Sequence, residues 1–133
     1  MIGREIAKIL VDAEACVKVI SLDNIKIDEK IEHVFGDLTN FDFCKEQTLD
    51  MDCVFHVAGI KGSVKVTLEK PASFFVPLLM FNTNILEASR LNNVPKLVYT
   101  SSIGAYSSNE IFIESEKDDQ RPPMDMFPGW AKR

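Results

Sequence analysis

Two acids and two hydroxyls stand in this sequence where a bound ligand would meet them. Asp23, Asp37 and the pair Ser101-Ser102 each come just after a short apolar or β-branched run, as do the small residues Ala58 and Gly59. Carboxylates accept hydrogen bonds and hydroxyls both donate and accept them, so the chemistry on offer is recognition of polar groups. The other reactive residue types promise less. Cys16, Cys44 and Cys53 are odd in number and widely spaced, which suggests neither a disulfide framework nor a zinc site and predicts small core residues. His56 lies inside an apolar run and reads as a packed strand residue, while His33 sits in another run with no partner evident. The acidic run ESEKDD at 114–119 reads as solvated loop surface.

Four runs deliver the strand-end residues: VKVISL at 17–22, IEHVF at 31–35, DCVFHVA at 52–58 and KLVYTSS at 96–102. Each is bounded by Asp, Asn, Gly or Pro, as strands are. VFHVA and KLVYT are nearly continuous apolar runs, which predicts burial on both faces. Ile6, Ile9, Leu10 and Ala13 fall at helical spacing and put an amphipathic helix at the start of the chain, almost from Met1. A shorter helix is predicted over 41–48, capped by Thr39 or Asn40. Leu78, Phe81, Ile85 and Ala88 mark a long helix within 71–92, with Pro71 and Pro77 limiting where it begins. Residues 103–128 read as an extended loop and GWAKR as the first turn of a further helix. Strands alternating with helices predict a doubly wound parallel sheet, in which ligands lie beyond the carboxyl ends of the strands.

At 133 residues the chain suits one domain, and 26% charged residues beside 46% hydrophobic ones suit an ordinary globular protein. The net charge of -5 and the absence of a basic face argue against binding nucleic acid. No window is apolar enough for a membrane span, and Arg4, Glu5 and Lys8 interrupt any signal-peptide pattern, so the expected location is cytoplasmic.

Together these strand ends resemble the NAD-dependent epimerase/dehydratase family, extended short-chain dehydrogenases that act on nucleotide sugars. In that family a strand leads into a Gly-x-x-Gly-x-x-Gly turn and a helix. The resemblance makes Gly3 the third glycine, which lets helix and strand pack closely, and Ile2 the hydrophobic position before it. Asp23, 20 positions after Gly3, would accept hydrogen bonds from the adenosine ribose. Its charge repels a 2'-phosphate and no Arg follows, so NAD is favoured over NADP; the alternative is that Asp23 merely ends its strand in a turn with Asn24. Gly36-Asp37-Leu38 resembles the Gly-Asp-Leu whose Asp and following backbone contact the adenine. Ala58 and Gly59 would lie against the pyrophosphate and nicotinamide ribose, where the backbone must approach closely.

KLVYTSSIGAYSS is the most specific piece of the likeness, and it makes Ser102 the hydroxyl that binds and polarises the substrate's sugar oxygen. Lys132 fits the family's Lys, which lowers the pKa of a catalytic Tyr four positions earlier and binds the nicotinamide ribose hydroxyls. Here the Tyr position is Pro128, which carries no proton-transfer group, and Tyr106 is a poor substitute base. Leu78, Phe81 and Asn82 also depart from the Asn, Gly and Thr usual before Asn84-Ile85-Leu86-Glu87-Ala88.

The resemblance therefore implies a Rossmann-like doubly wound parallel sheet, a partial NAD-binding domain over 1–133 that lacks its first strand and its C-terminal part. In strand order 3-2-1-4-5 that strand is central, and without it each neighbour has an unpaired edge and a slot opens through the core. The expected function is that of an NAD-dependent oxidoreductase or epimerase acting on a nucleotide sugar, present as a cofactor-binding fragment that binds NAD poorly and catalyses nothing alone, with homodimerisation expected of a complete protein. The alternative, favoured by Pro128, is a non-catalytic dinucleotide-binding sensor or scaffold. A weaker third is another doubly wound domain of flavodoxin-like type.

Overall fold

A computed structural model describes residues 2–60, 62–108 and 121–133. The acidic run at 114–119 lies outside the described residues. Helix α1 (Ile2–Asp12) turns Ala7, Leu10 and Val11 toward the core. It ends in a Schellman turn: Glu14 adopts φ 61°, and the N–H groups of Glu14 and Ala15 donate to Val11 O and Leu10 O at 3.0 Å each. Strands β1 (Lys18–Ser21) and β2 (Glu32–Phe35) follow and pair in parallel, Lys18 opposite Glu32 and Ser21 opposite Phe35.

Helix α2 (Phe41–Gln47) starts where Asn40 Oδ1 accepts from the Phe43 N–H at 3.1 Å, the cap expected from the sequence. Strand β3 (Cys53–His56) leads to α3 (Val64–Glu69), then to the long α4 (Pro71–Leu91) and β4 (Lys96–Tyr99). β3 and β4 also pair in parallel, His56 opposite Tyr99. Pro71 takes the first turn of α4, where its missing N–H costs nothing. Pro77 does lose an interior hydrogen bond, yet α4 runs through it because Phe74, Leu78, Phe81, Ile85 and Ala88 are buried on both sides of it. A single 3₁₀ turn (Ile103–Ala105) and α5 (Met126–Lys132) close the described chain.

The four strands form two separate parallel pairs, β1-β2 and β3-β4, and no strand among the described residues joins them. This is the arrangement of order 3-2-1-4-5 without its central member. The core is divided likewise. Ala7, Val17 and Ile31 pack between α1 and the first pair, with Val19 and Ile27. Cys44, Ile85 and Ala88 pack α2 and α4 onto Val54 and Leu97 of the second pair, and Leu78 and Phe81 meet Ala131 of α5.

Three expectations need correction. β4 is not buried on both faces: Leu97 meets the α4 core, while Val98 on the other face is 39% exposed. Of the cysteines only Cys44 is a fully buried core residue; Cys53 is half-buried, and Cys16 is exposed in the turn between α1 and β1. Helix α3 was not expected, because its Val66 and Leu68 are exposed and give no apolar period; Ser63 supplies its cap by accepting from the Val66 N–H at 3.3 Å.

Candidate functional site

Parallel strands send their carboxyl ends to one edge, and the loops there carry the candidate residues. After β1 the Asp23 N–H donates to Ser21 Oγ at 2.9 Å and the Ile25 N–H to Asp23 O at 2.9 Å, so the turn with Asn24 is formed. The Asp23 side chain is not consumed by that turn. It is exposed beside a hollow of about 60 Å³ that Ser21, Asn24, Ile25 and Phe35 also line. After β2, Gly36 lies under the Phe43 ring, which a Cβ would strike. Asp37 Oδ1 accepts from the Thr39 N–H at 2.8 Å, leaving its other carboxylate oxygen outward. Leu38 turns its side chain into the core. Its carbonyl accepts from Asn84 Nδ2 at 3.0 Å, and Asn84 also holds Thr39 O at 2.9 Å, so one α4 side chain clamps the whole loop.

At the start of α1, Ile2 is exposed and Gly3 faces the segment after β3: a Cβ on Gly3 would come within 2.9 Å of Val57 Cγ2. Ala58 is partly buried against Leu78 and Phe81. Gly59 is exposed, with open space where a Cβ would be, so no protein contact demands glycine there.

A cleft of about 310 Å³ opens at the ends of β3 and β4, and Gly59, Leu78, Ser102, Asp125, Pro128 and Lys132 all line it. Lys132 Nζ donates to Thr100 O at 3.0 Å and to Ala58 O at 3.4 Å, and stands 4.6 Å over the Tyr99 ring. An ammonium has three N–H groups, so one is left for the cleft. Burial pushes the Lys132 pKa down from its ordinary value. Ser102 Oγ accepts from the Gly104 N–H at 3.2 Å, which leaves its own proton to donate. Ser101 Oγ donates to Lys132 O at 3.2 Å and ties the end of α5 to the end of β4. Gly129 allows this docking, since a Cβ there would strike Gly104 O.

Below the cleft runs a buried polar relay that the sequence did not reveal. Asn82 Nδ2 donates to Ala131 O at 2.7 Å, so its Oδ1 accepts, and the partner at 2.8 Å is His56 Nε2. His56 is therefore the tautomer protonated at Nε2. His56 and Asn82 are each 3% exposed, and His56 stacks on Tyr99, whose hydroxyl also donates to Ala131 O at 3.4 Å. Burial lowers the His56 pKa despite the Asn82 bond, and the nearby Lys132 charge acts in the same direction. His33, expected to lack a partner, has one: its Nε2 accepts from the Ile27 N–H at 3.2 Å. Tyr106 follows the 3₁₀ turn and does not line the cleft.

Among the described residues no group of three His, Cys, Asp or Glu is placed to hold a metal ion, and no helix is long and apolar enough to cross a membrane. The profile of the NAD dependent epimerase/dehydratase family matches residues 1–128. The UDP-glucose 4-epimerase of Pisum sativum is 30% identical over 102 residues, 73% of this chain and 28% of its own length. An uncharacterized protein of Methanocaldococcus jannaschii is 26% identical over 95% of this chain and 44% of its own. Among solved structures, the Thermus thermophilus UDP-glucose 4-epimerase in complex with NAD superimposes with a TM-score of 0.78 at 26% identity, covering 99% of this chain and 44% of that one. The chain thus spans less than half the length of these relatives. It belongs to the NAD dependent epimerase/dehydratase family.

Proposed function

We propose that this chain is the cofactor-facing part of an NAD-linked oxidoreductase of the epimerase/dehydratase type whose substrate is a nucleotide sugar. The observation that carries the reading is the meeting of Gly59, Ser102 and Lys132, distant in sequence, around one cleft at the carboxyl ends of β3 and β4. The residues suit the dinucleotide. Asp23 offers an uncommitted carboxylate to ribose hydroxyls, Gly59 leaves room for close approach, and Lys132 keeps an N–H for the nicotinamide ribose. Ile2, Gly3, Asp37, Leu38 and Ala58 would line the rest of the path by backbone approach.

When bound, the nicotinamide supplies a two-electron hydride acceptor. Ser102 would donate its proton to a sugar oxygen and hold it beside the ring. A carboxylate at position 23 disfavours a 2'-phosphate, so NAD is preferred to NADP. UDP-glucose is the sugar nucleotide to try first, because the Pisum sativum relative is named for it. Calorimetric titration of the 133-residue chain is expected to give weak NAD binding that is still on the order of tenfold tighter than NADP, a preference abolished by Asp23→Ala. No affinity for NAD, or a preference for NADP, contradicts the reading.

One observation favours a second reading, a dinucleotide-binding module without catalysis: Pro128 forms the cleft wall at the position of the family's proton-transferring Tyr. NAD binding with no hydride transfer to or from any nucleotide sugar would select it.

A further inference from the structure

Pro128 removes a phenol from the cleft, and it also removes an N–H. Asp125 is the N-cap of α5, and an aspartate there ordinarily spends its carboxylate on the N–H of the second or third helical residue. The third residue of α5 is Pro128, which has no N–H to give. The Asp125 side chain makes no capping hydrogen bond and lines the cleft instead. Asp125, Pro128 and Lys132 recur at three and four positions, so one face of α5 presents a carboxylate, an inert ring and an ammonium to the same space.

Asp125 is held firmly. Its N–H donates to Gly104 O at 3.1 Å, and its carbonyl accepts from the Gly129 N–H at 2.7 Å. Its Cβ occupies the room that glycine leaves at position 104, where another Cβ would lie 2.8 Å away. That same point over Gly104 is 3.4 Å from Asp125 Oδ2 and 3.5 Å from Ser102 Oγ. Ser102 already accepts from the Gly104 N–H, so its proton points elsewhere. Asp125 and Ser102 thus offer an acceptor and a donor to the same cleft, both beside Gly104.

We infer that Asp125 is the hydroxyl acceptor of this cleft, paired with Ser102 and standing in for the absent phenol. This rests on the proposed nucleotide-sugar function. In the oxidation step, the sugar hydroxyl's proton passes to the Asp125 carboxylate and the hydrogen on its carbon leaves with its electron pair to the nicotinamide cofactor. The alcohol becomes a carbonyl, oxidised by two electrons, and the cofactor is reduced by two. The new carbonyl oxygen keeps the Ser102 hydrogen bond.

The test is calorimetry on the 133-residue chain with NAD, UDP and UDP-glucose. Asp125→Asn is expected to weaken UDP-glucose about tenfold while leaving UDP and NAD unchanged, and Ser102→Ala to do the same. Asp125→Ser, which keeps a side-chain oxygen but no charge, should repeat the loss in a chain of unaltered melting temperature. Wild-type affinity for UDP-glucose in Asp125→Asn, equal weakening of UDP and UDP-glucose, or no UDP-glucose binding by the wild type overturns the proposal while NAD binding stands. A wild-type chain that binds no NAD defeats the functional reading and this proposal with it.

Discussion

The two halves of the molecule are built on different principles. The first, α1 with β1 and β2, is held by a small apolar cluster around Ala7, Val17 and Ile31 and by one pair of strands. The second, α2 to α5 with β3 and β4, has larger apolar contacts and is also stitched by side chains that reach distant main-chain carbonyls. Asn82 reaches Ala131 O, Asn84 reaches Leu38 O and Thr39 O, Asn92 reaches Lys45 O, and Lys132 reaches Thr100 O. Apolar contact is non-directional and tolerates sliding, whereas a buried amide bonded at both ends fixes one arrangement. The cleft therefore sits on the half whose loops are pinned, while Asp23 sits on the half that is not. A ligand touching both would couple them by binding the assembled state alone.

The contrast can be broken most forcefully in the second core. Ile85→Ala should cost about 2–5 kcal/mol in urea unfolding, because Ile85 is buried between α2, β3 and β4 with little freedom for its neighbours to collapse. Amide exchange should then accelerate across α4 and β3 and leave α1 unchanged. Asn82→Leu comes next, at about 1–3 kcal/mol, since it strands the His56 N–H in the interior and leaves Ala131 O with the 3.4 Å Tyr99 hydroxyl bond. It should also loosen α5 and alter the emission of Trp130, the single tryptophan.

Acid should act on the same relay. The folded state holds His56 neutral, and its pKa there is lower than the ordinary 6.5. Between those two values the unfolded chain binds more protons, so stability rises with pH across that window and is complete above about 6.5. Melting temperatures should fall as pH drops below that point; a profile flat through it would contradict the burial of a neutral ring. The smallest effect belongs to the first half. Glu14 adopts a left-handed backbone at φ 61°, so Glu14→Gly should stabilise α1 by a few tenths to about 1 kcal/mol.

What could be read from the sequence follows the reach of each interaction. The runs at 17–22, 31–35, 52–58 and 96–102 contain the four strands, and Asn40 caps α2 as its residue type suggests, because burial period and capping are local. Helix α3 escaped, since Ser63 is its main signal and its Val66 and Leu68 are exposed. The exposure of Cys16 and Val98 escaped because burial depends on what covers a residue, which a short window does not contain. Asn82 escaped most completely: its partners are 26 and 49 positions away, and an asparagine within a helical stretch carries no mark of them. Of the residues lining the cleft, Gly59, Ser102 and Lys132 were singled out through strand ends and family likeness, whereas Asp125 was not. Its role depends on an N–H that Pro128 lacks, and so on two residues read together.

Hydrogen exchange with and without NAD tests the dinucleotide site most directly. If the carboxyl edges of both strand pairs hold one ligand, NAD should slow exchange at residues 22–25 in one half and at 36–39 and 58–60 in the other. Protection confined to a single half, or none at saturating NAD, would contradict it.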